Sequence, residues 1–225
     1  DMLTSESLKE RLEMAKAFTN DPAKNYGVAY LVLARESESE SASGQKEQEK
    51  NYRAAIDAFT KELEKKNFPY RVSENLTTAV TIELANTLWN SGRTDEAIAM
   101  LKDINTELLS DVMQDKRLFT YLVYLVCTGA DEEAHAALNA DQLPTEEWLY
   151  FNALLKYKAF GDGALSRSAL TAALTETESI ASWLTRKLEN IDTESYLFSD
   201  MTYADLTRVA WEATDGAMEW LAAHM

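Results

Sequence analysis

Apolar residues recur along most of the chain at three- and four-residue steps, the spacing of one helix face. Leu8, Leu12, Ala15 and Phe18 share such a face until Asn20-Asp21-Pro22 stops it. Tyr26, Ala29, Tyr30 and Leu33 mark a second helix. Residues 36–50, ESESESASGQKEQEK, then hold one apolar side chain, Ala42. So polar a stretch buries too little surface to offset its ordering entropy, and it reads as a mobile acidic insertion or a solvated helix extension. A switch worked by phosphorylating its serines is the functional alternative. The helical pattern resumes with Tyr52, Ala55, Ile56, Phe59 and Leu63 and ends at Pro69. Further helices are predicted near 74–90, 95–108, 115–127, 131–139, 145–159, 163–174 and 176–188, with two short ones near 203–213 and 216–223. The short links make consecutive helices antiparallel neighbours. No segment reads as a strand.

Composition agrees with this pattern. Only 7 glycines and 3 prolines occur in 225 residues, too few punctuators for an all-β fold. The length suits a single all-helical domain spanning 1–225 with a core that needs no disulfide or metal. With 22 Lys+Arg against 38 Asp+Glu, the net charge is -16. That charge repels phosphate backbones and anionic bilayers, so neither nucleic acid nor membrane is expected as a partner. No apolar run is long enough to span a membrane. The first residues lack the basic and apolar parts of a signal peptide, although the chain starts at Asp1 and a removed leader stays open. The lone cysteine, Cys127, can form no internal disulfide, which makes the cytoplasm the expected compartment.

A repeat lies inside the helical pattern. Residues 84–101, LANTLWNSGRTDEAIAML, align with 121–138, YLVYLVCTGADEEAHAAL. With Gly92 on Gly129, Ala97 falls on Ala134, Leu101 on Leu138 and Leu88 on Leu125. A weaker copy in 153–170 has Gly161, Ser166 and Leu170 in those places. Tyr52, Ala55 and Phe59 look like the second half of an earlier copy. Each position has a physical reason. The glycine allows a left-handed turn after the first helix. The small residue lets the second helix approach closely, and the large one fills the gap to the next hairpin.

The G-x4-A-x3-large core in Gly92/Ala97/Leu101 and Gly129/Ala134/Leu138 resembles the tetratricopeptide repeat (TPR). The usual proline after the second helix is absent, and the 37-residue spacing exceeds the family's usual period. The tail gives a second resemblance. Ile180, Trp183 and Leu184, followed by Tyr203, Ala204, Trp211, Gly216, Ala217, Met218 and Leu221, look like the end of suppressor-of-tumorigenicity-type TPR proteins and their bacterial relatives. That family's Asn-Pro pair is replaced here by Thr177-Glu178, and its second proline by Ala181. The resemblance covers about residues 52–221. It implies an all-α, right-handed solenoid with TPR-like hairpins over 52–188 and a capping tail over 189–225. It implies no catalytic residues.

Chemistry is sparse. Cys127 falls on an apolar helix face near Leu122 and Leu125 and reads as a structural thiol. His135 and His224 lack a spaced set of ligand or catalytic partners, with His224 at a frayed end. Asp131 and Glu146 open predicted helices, where negative charge favours the helix dipole. Gly161-Asp162-Gly163 lacks the Gly-Lys-Ser/Thr and preceding strand of a phosphate loop, and no EF-hand loop is present. No cofactor, metal or enzymatic activity is expected.

The resemblance implies that the first helix of each hairpin lines a concave face. Ile82, Asn86, Trp89 and Asn90 fall there, then Phe119, Val123 and Cys127, then Phe151, Leu155 and Lys158. Asn86 matches the asparagine with which many TPR proteins hold a peptide backbone, but the basic residues of a carboxylate clamp are missing around it. The expectation is a non-catalytic scaffold that binds a protein or peptide in a partly apolar groove. The alternatives are a homodimer using that groove, the chain's own N-terminal helix filling it, aromatics that are simply core, and a helical protein binding a small ligand or metal in an acidic cleft.

Overall fold

The computed structural model describes residues 13, 15–17, 27–35, 42–64, 70–140, 145–186 and 198–225. These residues are helical with no strand among them. The helices are α1 (Gly27–Arg35), α2 (Ala42–Glu64), α3 (Tyr70–Asn90), α4 (Thr94–Lys102), α5 (Asp111–Thr128), α6 (Asp131–Asn139), α7 (Glu146–Phe160), α8 (Ala164–Glu176), α9 (Ser179–Thr185), α10 (Phe198–Glu212) and α11 (Ala217–His224). The expected breaks at Pro22 and Pro69, residues 36–41, residues 187–197 and most of the first expected helix lie outside the described residues. The packing divides the chain into two compact units, Asp1–Arg117 and Leu118–Met225. The boundary falls inside α5.

In the first unit, α2 packs against α1 and α3, and α3 against α4. Of the two readings of the polar stretch, residues 42–50 fit the helix extension: they are the first turns of α2. Charge and hydrogen bonding hold them there, where composition alone promised nothing. Glu49 pairs with Arg93 at 2.6 Å and with Arg53 at 2.9 Å, and Thr87 Oγ1 donates to Gln48 at 3.2 Å. Arg93 also grips Glu96 at 2.6 Å, so one guanidinium joins α2 to the α3–α4 turn and the start of α4. Arg35 joins α1 to α3 through Glu83. Helix α4 ends at Lys102, short of the expected residue 108. The apolar period runs on through Ile104, Leu108 and Leu109, but polar side chains take over the backbone. Asn105 accepts from the Glu107 N–H, and Asn75 accepts from the Ser110 N–H, both at 3.0 Å.

In the second unit, α8 packs against α7, α10 against α9, and α11 against α7, α9 and α10. Trp148 Nε1 donates to the Leu138 carbonyl at 2.8 Å, which joins α7 to the end of α6. Trp211 and Leu221 are fully buried and Trp220 nearly so.

Two of the interhelix turns share one geometry. At both Gly92 (φ +80°) and Gly129 (φ +78°) the chain turns left-handed. In the first turn the Arg93 N–H reaches back to Leu88 O and the Gly92 N–H to Trp89 O. In the second, Ala130 reaches Leu125 O and Gly129 reaches Val126 O. These are the paired bonds of a Schellman cap, made twice with the same register. Ala97, Leu101, Ala134, Leu138 and Ser166 are fully buried and Leu170 nearly so. The third turn is built differently. Ser166 Oγ donates to Gly161 O at 2.6 Å and accepts from the Gly163 N–H at 3.0 Å, so the small residue itself closes the turn.

Candidate functional site

The residues expected to line a groove divide between the two units. In the first unit, Ile82, Asn86, Trp89 and Asn90 stand on α3. Ile82 is 1% exposed and belongs to the core, whereas Asn86 and Asn90 are exposed and Trp89 is half-buried. Residues 86 and 90 are one helical turn apart, so their amides share a face with the Trp89 ring near it.

In the second unit, Phe119 and Val123 on α5 and Phe151 on α7 are buried; Phe151 has no exposed surface. Phe119 and Phe151 meet with ring centroids 6.1 Å apart. The chain's own α10 covers Phe119. The Tyr203 ring meets Phe119 edge-on at 4.9 Å, and the Val209 carbonyl lies 4.0 Å from Cys127 Sγ. Ser179 of α9 donates to Asp200 in the first turn of α10. An open apolar groove over these aromatics was the expectation; the structure places a C-terminal helix there.

Lys158 is tied down rather than offered to a partner. Its Nζ donates to Val126 O at 2.7 Å and pairs with Asp131 at 2.7 Å, bracing α7 against the α5–α6 turn. Burial pushes the half-buried Cys127 thiol up from its ordinary value, and the charge of Lys158 offsets part of that. A raised thiol pKa keeps the thiolate scarce, consistent with a structural role. His135 is half-buried. Asp131 and Glu146 do open α6 and α7. Among the described residues no group of three or more His, Cys, Asp or Glu could hold a metal ion. No helix among them is long and apolar enough to cross a membrane.

Two features escaped the sequence reading. The first is the role of Asp162. Its carboxylate receives Arg167 through two nitrogens, at 2.7 and 2.9 Å, and the Trp220 indole at 2.9 Å. His224 is not frayed: its Nε2 is 3.7 Å from Asp162, and its Nδ1 is 2.9 Å from Trp220 O. Arg167 and the indole hold the Asp162 carboxyl below its ordinary range. Tyr157 stacks on Trp220 at 4.5 Å, and its hydroxyl sits where a Cβ on Gly216 would lie, 2.7 Å away. The second is an open depression in the first unit of about 460 Å³, lined by Glu96, Ala99 and Met100 of α4, Asp103 and Ile104 just after it, Thr81 of α3 and Arg53 of α2. The i, i+4, i+7 spacing of Glu96, Met100 and Asp103 was the available signal.

Comparison with protein-family models, with curated proteins and with solved structures yields no significant match.

Proposed function

We propose that the chain is a non-catalytic, TPR-like interaction scaffold that holds a protein or peptide partner against α3. The observation that carries this reading is the exposure of Asn86 and Asn90 beside the half-buried Trp89 on one helix face. An asparagine amide both donates and accepts, so two of them a turn apart can satisfy the backbone of an extended or helical segment. The three glycine-turned hairpins with buried small and large positions support the repeat reading. A homodimer built on the aromatics of α5 and α7 has little left to bury, because Phe119, Val123 and Phe151 are covered. The lone cysteine suits a reducing compartment, and the cytoplasm is the proposed location.

A photoactivatable benzophenone side chain at position 90, in the source cell, tests the proposal. One dominant protein adduct that disappears when Asn86→Lys is added supports it. No adduct, or an adduct indifferent to Asn86→Lys, contradicts it.

A further inference from the structure

We propose that the depression beside α4 is a second docking surface, one that receives a lysine side chain of a partner peptide. It lies on different residues from the α3 face and stands or falls separately from it. Its uncharged lining is Ala99, Met100 and Ile104, with Thr81 of α3. Its charged lining is Arg53, Glu96 and Asp103. Two of these charges already have partners: Arg53 is held by Glu49 at 2.9 Å and Glu96 by Arg93 at 2.6 Å. Asp103 is exposed, and among the described residues no ion pair reaches it. The depression therefore presents one uncompensated carboxylate beside a largely apolar lining.

A lysine matches both parts. Its four-carbon stem can lie on Met100 and Ile104 while its ammonium stays wet and reaches Asp103. The unbranched methionine can adapt to the stem. At about 460 Å³ the space suits a few side chains, within the roughly 300–1,000 Å³ of ordinary ligand sites. The chain's net charge of -16 would steer such a cationic segment toward the protein. The backbone N–H of Asp103 caps α4 by donating to Ala99 O at 3.1 Å, so changing its side chain leaves that bond in place.

The test uses the full chain with 13C-labelled methionine methyls, the Met100 signal being assigned with Met100→Leu. The probes are acetyl-Leu-Lys-Leu-amide and its neutral norleucine counterpart. The proposal expects a saturable shift of the Met100 methyl, at least threefold tighter for the lysine peptide and weakened by added salt. In Asp103→Asn, with the other methyls unmoved, the two peptides should bind alike; Asp103→Ser serves if Asn disturbs the fold. A shift that does not saturate, equal affinity for both peptides on the wild type, or a lysine preference that survives in the Asp103 variants overturns it. None of these results touches Asn86 or Asn90, so the α3 reading is judged separately by crosslinking.

Discussion

Two helix faces that the sequence pattern expects to be equivalent have opposite fates. On α3 the face shows Asn86 and Asn90 to solvent. On α5 and α7 it carries Phe119, Val123 and Phe151, and α10 adds the ring of Tyr203 to them. Composition decides the difference. Aromatic and branched side chains gain about 25 cal/mol per Å² by leaving water, so an apolar face captures whatever apolar helix the chain supplies next. Two amides gain little by burial and lose hydrogen bonds, so that face stays open. Equivalent positions in the sequence pattern therefore do not imply equal exposure.

The largest expected effect separates the faces by stability. Phe151→Ala should cost about 3–5 kcal/mol, because it empties a fully buried aromatic site. Asn86→Ala and Asn90→Ala should stay within about 0.5 kcal/mol of wild type. Urea unfolding of the three variants reads this directly, and similar costs for all three would erase the distinction.

The next effect sharpens the picture of how the second unit is closed. Gly92→Ala and Gly129→Ala place a Cβ on left-handed backbone with open space around it, a cost of about 1–2 kcal/mol. Gly216→Ala carries the same strain and also meets the Tyr157 hydroxyl at 2.7 Å. It should be the most costly of the three, and Tyr157→Phe should recover part of its extra cost but none of the cost of Gly92→Ala. Thermal unfolding of the double variants checks the difference.

The smallest effect is electrostatic. The Asp162 carboxyl is held below its ordinary range in the fold, so its contribution is present above the unfolded value of about pH 4. It is lost as pH falls through the folded value. The stability gap between wild type and Asp162→Asn should therefore narrow on acidification below that range. A gap that widens would place the source of the gap elsewhere.

Much of the helical fold could be read from the sequence. Gly92 and Gly129 predicted the left-handed turns, Ala97 and Leu101 the buried contacts behind them, and 131–139 the whole of α6. The rest depended on partners far along the chain. Nothing in ESESESASGQKEQEK announces that Glu49 will meet Arg93, 44 residues on. Nothing around Phe119 says that Tyr203 will cover it, because one aromatic face reads alike whether its occupant is foreign or its own. The exposure of Asn86 and Asn90 was readable because polar side chains rarely need covering. Asp162 was not, since its three partners come from α8 and α11.

Thiol accessibility tests the contrast between the faces most directly. On a Cys127→Ala background, Asn86→Cys and Val123→Cys are each exposed to a small thiol reagent under native conditions. Asn86→Cys should react near the rate of an unstructured peptide. Val123→Cys, only 3% exposed at its native residue, should react at least about a thousandfold more slowly, through opening of the second unit alone. Comparable rates in two folded variants would mean that the α5 face is open, and the account of a self-filled face would be wrong.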